Sequence, residues 1–359
     1  MGIRELFKIT RIASRYDKST GKFTINISYK TKTDITDRTV SVAEAFGLGI
    51  DEFQQHVIYD NVTLKINPRD IVYITGESGS GKSALLKELQ HELAPNAVNI
   101  ADVAVDPSKP LIESVGRTLE EGLELLSRVG LNDAFLFVRR FEQLSDGQKY
   151  RFRLAKVIES GKQYWVADEF CATLDRDTAK IVAFNVQKLA RQLGKAVLVA
   201  TTHTDLLRDL KPSVYIHKRF GKEIRVRYFP NKLNTSCSLV KEMHVVEGTR
   251  RDYEKLACFH YRSSRLPPPH KIFALKHRNQ KVGVIVYSYP PPVCFGRRQA
   301  LGRVAPLTEL NKDFVWVSRV VLHPKYRTIG LGTLLVKETL PLIDRGYVET
   351  IAVMAKYNP

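Results

Sequence analysis

The stretch Gly76-Glu77-Ser78-Gly79-Ser80-Gly81-Lys82-Ser83 satisfies the pattern GxxxxGK[ST] at every fixed position. It follows the short apolar run Ile71-Val72-Tyr73-Ile74-Thr75 and precedes a helical pattern from Ala84 to Leu93 that stops at Pro95. Glycines let the backbone wrap tightly and aim its N–H groups at phosphate oxygens, and the helix start adds its dipole. In such a loop Lys82 reaches the β- and γ-phosphates of a nucleotide and Ser83 is a ligand for Mg²⁺. A glycine-rich turn without a ligand is the alternative, and the strand-before-helix context argues against it.

Outward from this loop, Tyr164-Trp165-Val166-Ala167 and Ala196-Val197-Leu198-Val199-Ala200 read as two further buried strands. Residues 118–130, closed by Gly130, and residues 148–160 read as helices. Strands alternating with helices predict an α/β fold around a mostly parallel sheet covered on both faces. Residues 1–50 alternate apolar and polar positions, as in Phe23-Thr24-Ile25-Asn26-Ile27-Ser28-Tyr29, which is a strand pattern. After about residue 230 the character changes. Pro267-Pro268-Pro269 and Pro290-Pro291-Pro292 punctuate strands expected at Lys271–Leu275, Val282–Tyr289, Phe314–Leu322 and Ile351–Ala355, with a helix from about Leu331 to Leu340. A boundary near 230–245 gives two domains, 1–235 and 236–359, as 359 residues suggest.

With 43% hydrophobic and 26% charged residues the composition is that of a globular protein, which excludes disorder as the main state and collagen-like or coiled-coil classes. Four cysteines, Cys171, Cys237, Cys258 and Cys294, are too few for a disulfide scaffold, and no CxxC pair suggests zinc. No apolar run approaches the ~18–20 residues of a membrane span, and Met1–Glu5 lacks the apolar core of a signal peptide, so a cytoplasmic location is expected. The net charge is +18 and uneven: residues 231–359 hold 21 basic and 9 acidic side chains, two thirds of the excess on a third of the chain. Such a domain attracts polyanions, DNA or RNA, although solubility or one anionic cofactor would also account for it.

Four later segments carry a family resemblance. Leu144-Ser145-Asp146-Gly147-Gln148 resembles the LSGGQ signature of ABC ATPases, with Asp146 in place of a glycine. Asp168-Glu169 closes a strand as a Walker B element does, Ala172-Thr173-Leu174-Asp175 resembles the D-loop, and Thr202-His203 follows a strand as the switch histidine does. The resemblance covers roughly residues 20–230. It implies that Asp168 holds Mg²⁺ through a water, that Glu169 is the general base, that His203 contacts the γ-phosphate, and that Phe53 stacks on adenine. The plain readings are strand-end carboxylates capping the next helix for Asp168-Glu169 and a core residue for Phe53. It implies also that Ser145 and Gly147 reach the γ-phosphate of ATP bound to another subunit, so that ATP drives a head-to-tail homodimer, and that Gln148 and Asp175 are among the nucleotide-binding residues. The insert is short: Ser145 comes 63 residues after Lys82. No glutamine stands where the Q-loop belongs, and Asp106 is the nearest candidate. The family's transporters engage their membrane partners through these regions, so their reduction speaks against transport.

Val320-Val321-Leu322-His323-Pro324-Lys325-Tyr326-Arg327-Thr328-Ile329-Gly330-Leu331-Gly332 resembles motif A of the GNAT acyltransferases, with Arg327, Gly330 and Gly332 meeting [QR]xxGx[GA]. The resemblance covers about residues 244–359 and lacks the last helix and strands. It implies that Val320, Val321, Leu322, Arg327, Thr328, Ile329, Gly330, Leu331 and Gly332 bind acetyl-CoA or another acyl-CoA, whose pyrophosphate the helix start would cradle. A glycine-rich turn in a domain without a cofactor is the alternative. Glu309, Asp313 and Ser318 are candidates for a base, each also at home in a structural role. Arg297-Arg298 would contact a phosphate or simply face solvent. The expectation is thus an ABC-type ATPase with a short helical insert, fused to a truncated GNAT-like domain and acting on or near nucleic acid. The alternative is a transport- or translation-associated ATPase whose GNAT-like module senses or docks.

Overall fold

The computed structural model describes residues 7–11, 14–31, 35–47, 54–260, 265–294 and 296–351. The chain divides into two compact units. One gathers residues 1–103, 160–172 and 190–233; the other gathers 104–159, 173–189 and 234–359. This division cuts across the continuous domains 1–235 and 236–359 expected from the sequence, because the insert and the stretch 173–189 group with the C-terminal residues. For 173–189 the reason is apolar: Ile181 and Phe184 share a core with Cys237, Leu239, Met243, Phe273 and Leu275. The insert is joined by polar contacts, among them Arg151 to the Pro324 and Lys325 carbonyls and Arg327 to Asn132.

In the first unit a six-stranded sheet runs in the order Ile224–Tyr228, Val214–Lys218, Ile71–Gly76, Ala196–Ala200, Tyr164–Ala167, Ala97–Asn99. All its pairings are parallel except that of Ile224–Tyr228. Every residue of Ile71–Gly76 and Ala196–Ala200 is buried, which is why these strands read as unbroken apolar runs. The helix Lys82–Glu92 packs Leu85, Leu86 and Leu89 into one core with Val72, Ile74 and Leu198. A second, antiparallel sheet is built on Lys22–Thr31, which pairs with Phe7–Arg11, Arg15–Asp17 and Gln54–Lys65. Its alternate residues Phe23, Ile25 and Ile27 join the same core. The strand pattern expected over residues 1–50 fails at Asp37–Phe46, which is a helix. Thr36 caps it by accepting from Thr39 N–H at 3.3 Å, and Gly47 ends it in the left-handed conformation.

The second unit holds a five-stranded sheet in the order Met243–Glu247, Pro269–His277, Gln280–Ser288, Phe314–Leu322, Tyr347–Thr350. The first three pairings are antiparallel. The last is parallel, with the helix Leu331–Thr339 in the crossover, and it joins Phe314–Val317 to Tyr347–Thr350. A strand not foreseen stands at Tyr347–Thr350, and the strand expected at Ile351–Ala355 lies, apart from Ile351, outside the described residues. The helices Leu119–Arg128, Asp146–Glu159 and Arg176–Gln192 complete this account; the third has no counterpart in the sequence reading. No helix among the described residues is long and apolar enough to cross a membrane.

Candidate nucleotide site

Three neighbouring parallel strands of the first unit, Ile71–Gly76, Ala196–Ala200 and Tyr164–Ala167, end at one edge of the sheet, where α/β folds place their ligands. The loop after the first is 76–83. Gly76 has φ +142°, and a Cβ there would lie 1.9 Å from the Lys218 carbonyl oxygen on the adjacent strand. Gly81 has φ +98°, and its Cβ would lie 2.5 Å from Ile58 Cγ2. The Gly81 carbonyl accepts from Tyr59 OH and from Leu85 N–H, both at 3.1 Å, so the loop is tied to a strand and to the helix it opens. The first N–H groups of Lys82–Glu92 have no partner within the helix, which is the donor array that phosphate oxygens need.

Lys82 is buried, and its Nζ donates to the Glu77 carbonyl at 2.5 Å. Burial pushes the ammonium pKa down, against the opposing pull of the Asp168 and Glu77 carboxylates. Ser83 Oγ donates to Asp168 Oδ1 at 3.0 Å, and the same oxygen accepts the Glu169 N–H at 3.0 Å. A hydroxyl and a carboxylate so placed form a hard-oxygen pair of the kind Mg²⁺ selects. Ser80 Oγ is buried and has no hydrogen-bond partner among the described residues. An orphan hydroxyl inside a loop whose glycines leave no room for side chains fits a phosphate chain.

Glu169 and Cys171 take positive φ, +48° and +57°. Left-handed backbone at such residues costs about 1–2 kcal/mol each and concentrates at functional sites. The turn is braced by Phe170, whose N–H donates to the Ala200 carbonyl at 2.8 Å, while Ala172 N–H donates to the Glu169 carbonyl at 2.9 Å. The Glu169 side chain is left exposed at the strand end. His203 stands after the Ala196–Ala200 strand; its N–H donates to Thr201 Oγ1 at 3.3 Å and its carbonyl accepts Tyr73 OH at 2.5 Å. The structure thus brings Lys82, Ser83, Asp168, Glu169 and His203 to one edge of one sheet. Phe53 lies outside the described residues. Tyr59 and Tyr73, which brace the two loops, were not foreseen, because an aromatic residue in a strand reads only as core.

Ser145, Gly147, Gln148 and Asp175 belong to the second unit. Gln148 Oε1 accepts Ser145 N–H at 3.0 Å, closing the start of Asp146–Glu159. A Cβ on Gly147 would lie 3.1 Å from Thr178 Cγ2. Asp175 accepts from Thr178 N–H at 3.2 Å and Thr178 Oγ1 at 2.6 Å, capping Arg176–Gln192. Asp106, the Q-loop candidate, is exposed and accepts from Ser108 N–H at 3.0 Å and Oγ at 2.6 Å, so it caps its own turn.

In the C-terminal glycine turn, Thr328 and Gly330 have φ +75° and +85°. Val320 is exposed, whereas Val321, Ile329 and Leu331 are buried. Leu322 and Gly332 are neighbours, Leu322 Cδ1 lying 3.9 Å from the position of a Gly332 Cβ. Arg327 is already engaged: its Nε reaches the Leu322 carbonyl at 3.3 Å, Nη2 the Phe259 carbonyl at 3.3 Å and Nη1 Asn132 Oδ1 at 3.2 Å. Thr328 Oγ1 accepts Asn185 Nδ2 at 2.6 Å. Of the candidate bases, Glu309 pairs with Arg303 at 2.6 Å, Ser318 is buried against Ser288 Oγ at 2.7 Å, and Asp313 ends the helix Leu307–Asp313. Arg297 is not a free phosphate contact: it forks onto Glu349 at 3.0 and 2.5 Å and donates to the Pro291 and Pro292 carbonyls.

Residues 59–119 match the family model described as ABC transporter. The chain is 28% identical over 170 residues to the cytochrome c biogenesis ATP-binding export protein CcmA of Gluconobacter oxydans, covering 43% of this chain and 77% of that protein. It is 25% identical over 194 residues to the methionine import ATP-binding protein MetN of Corynebacterium glutamicum, covering 44% of this chain and only 53% of the relative. Among solved structures it is similar to cbiO1 from Clostridium perfringens, part of the ABC transporter complex cbiONQ, with TM-score 0.41, 17% identity, and coverage of 48% and 82%. Family model and curated relatives together give one conclusion: this chain carries an ABC-type ATP-binding domain.

Proposed function

We propose that the chain hydrolyses ATP, and that two copies close head to tail on two nucleotides to do so. The observation that carries this is the Ser83 Oγ–Asp168 Oδ1 contact of 3.0 Å beside the buried Lys82, joining the glycine loop to the strand end that bears Glu169. Lys82 would neutralise the β- and γ-phosphates, and the loop N–H groups would hold their oxygens in place. Ser83 and Asp168 would hold Mg²⁺, which when bound neutralises phosphate charge. Glu169, exposed and fixed by its left-handed backbone, would accept a proton from the attacking water, with His203 ordering that water. Ser145, Gly147, Gln148 and Asp175 would meet the nucleotide of the partner copy. Glu169→Gln tests the reading: ATP should still bind and drive association, while turnover falls at least 100-fold, the lower end of what a general base contributes. Unchanged turnover overturns the role of Glu169, and absence of turnover in the wild type overturns the hydrolase reading.

For the C-terminal domain two readings stand. A glycine turn at a helix start supports binding of acetyl-CoA or another acyl-CoA. The side chains of Arg327 and Thr328, however, already bond to Asn132 and Asn185, which favours the sensor or docking role. Calorimetry with acetyl-CoA decides between them. The charge of residues 231–359 supports action on DNA or RNA in the cytoplasm; the names of the curated relatives support a transport partner instead. Salt-dependent binding to DNA or RNA would support the first, a stable complex with a membrane subunit the second.

A further inference from the structure

Residues 323–328 join the strand Phe314–Leu322 to the helix Leu331–Thr339, and two other elements of the same unit hold them. Lys325 Nζ lies 2.6 Å from Asp175 Oδ1 and 3.5 Å from Asp177 Oδ2. The buried Tyr326 donates its OH to Asp177 Oδ2 at 3.4 Å, and the Tyr326 hydroxyl oxygen also lies 3.3 Å from His277 Nδ1. From the opposite direction Arg151, on the helix Asp146–Glu159, sends Nη2 to the Lys325 carbonyl at 3.0 Å and Nη1 to that of Pro324 at 3.4 Å. Arg151 is buried, and that burial, with the nearby Arg327 charge, brings its guanidinium pKa down to about 10. A planar guanidinium bonded to two successive carbonyls fixes a turn in both position and orientation. One short turn is therefore fastened both to the helix that opens in the LSDGQ stretch and to the carboxylate that caps Arg176–Gln192.

The Lys325–Asp175 pair is ionic at neutral pH. Burial alone would raise the Asp175 carboxyl, but hydrogen bonds from Lys325 and Thr178 outweigh it and hold it below the usual carboxylate range. Burial alone would lower the Lys325 ammonium, and the bond to Asp175 more than offsets that. The Asp175 side chain is 58% exposed, so salt screens the pair, and its geometry rests equally on the Thr178 bonds. Thr178 anchors Asp175 within its own helix; Lys325 supplies the contact from outside it.

We propose that Lys325 is a positioning residue for ATP turnover: it fixes the Asp175 carboxylate and, with Arg151, sets the spacing between Asp175 and the helix Asp146–Glu159. This rests on the reading that Ser145, Gly147 and Asp175 meet the partner copy's nucleotide. Lys325 acts through Asp175 and belongs to neither the loop 76–83 nor the Asp168-Glu169 pair. Binding of ATP to a single copy is therefore independent of it, whereas turnover is not.

The test uses the full chain carrying Lys325→Met, Lys325→Arg, Asp175→Asn, and Lys325→Met with Asp175→Asn. Lys325→Met should lower kcat roughly tenfold, a barrier change of about 1.4 kcal/mol. ATP affinity and the unfolding midpoint should stay at the wild-type values, and Lys325→Arg should restore most of the rate. The double variant should lose no more than Asp175→Asn alone, because the two residues act as one unit. Wild-type kcat in Lys325→Met overturns the proposal, as does additive loss in the double variant. So does a fall in kcat that Lys325→Arg does not restore and that follows a lowered midpoint. Should Lys325→Met fail to fold, Lys325→Gln, which removes the charge but keeps a polar side chain, takes its place alone and with Asp175→Asn under the same criteria. Glu169→Gln separates the two claims: turnover surviving there removes the site reading on which this proposal rests, whereas turnover lost there but normal in Lys325→Met removes only this one.

Discussion

Ser80→Ala should make the nucleotide-free protein more stable and the nucleotide-bound protein less so. Ser80 Oγ is buried without a hydrogen-bond partner, and a buried unsatisfied hydroxyl costs about 1–3 kcal/mol. Truncation to alanine removes that cost and only one heavy atom of packing, so a net gain of about 1 kcal/mol is expected in the first unit. If the hydroxyl pairs with a phosphate oxygen when nucleotide is bound, its loss should weaken binding roughly tenfold, about 1.4 kcal/mol. At a nucleotide concentration about 100 times the wild-type Kd, binding stabilises the wild type by about 2.7 kcal/mol and such a variant by about 1.4 kcal/mol. The order of stabilities should therefore reverse, or at least close, when nucleotide is added. The chain has two tryptophans, and Trp165 lies buried in the Tyr164–Ala167 strand of the first unit. Urea unfolding followed by Trp165 fluorescence in a Trp316→Phe background, with and without ADP, measures both quantities. A lower midpoint for Ser80→Ala without nucleotide, or a gain over the wild type that nucleotide does not shrink, would refute the reasoning.

Two further outcomes concern the second unit. Arg297→Ala removes one member of a bidentate pair whose side chains are 8% and 16% exposed. It should cost about 3 kcal/mol by leaving Glu349 buried and unpaired, read as a lower urea midpoint from Trp316 fluorescence. Asp252 accepts from Lys281 Nζ at 2.6 Å and from Thr249 N–H and Oγ1, each at 2.8 Å. Burial alone would raise its carboxyl, yet these bonds prevail and hold it below 3.8. A depressed carboxylate contributes stability that is complete above its unfolded value and lost as pH falls through the folded one. Acid should therefore weaken this unit below about pH 4, and Asp252→Asn should flatten that dependence; identical acid profiles would contradict this.

The nucleotide edge was legible because each of its features is local. Glycines at Gly76 and Gly81 are demanded by backbone conformation and close neighbours, and the strands Ile71–Gly76 and Ala196–Ala200 are unbroken apolar runs because both faces are covered. Strand Phe314–Leu322 was read to the residue because it is rich in β-branched and aromatic residues, although it is covered less completely and holds Ser318 and Arg319. Helix Asp37–Phe46 was missed because its start depends on one cap, Thr36, and its burial is confined to Ala43. The long helix Arg176–Gln192 was missed because a short apolar strand dominates the windows on either side. Its inward residues Ile181 and Phe184 pack against partners about 60–100 residues later, a distance at which no periodicity signals contact. The same long-range packing puts residues 173–189 and the C-terminal residues in one unit.

That packing makes a cut at the sequence-level boundary informative. A chain ending at residue 235 keeps the loop 76–83, Asp168, Glu169 and His203. It loses Cys237, Leu239, Met243, Phe273 and Leu275, the core around Ile181 and Phe184. It also loses the Pro324 and Lys325 carbonyls that satisfy Arg151, and Thr328, which packs on Gly130. Exposing two large apolar side chains forfeits roughly 3–6 kcal/mol, a large part of the 5–15 kcal/mol that holds a domain together. Residues 177–189 should then exchange their amide hydrogens orders of magnitude faster than in the full chain, and the fragment should aggregate. Strand Ile71–Gly76, sheltered in the other unit, should keep its protection in whatever fraction stays soluble. If residues 1–235 instead form a soluble fragment with native protection across 177–189, the helix Arg176–Gln192 owes its stability to the first unit. The C-terminal domain would then be an appendage, and the coupling through Lys325 would lose its mechanical basis.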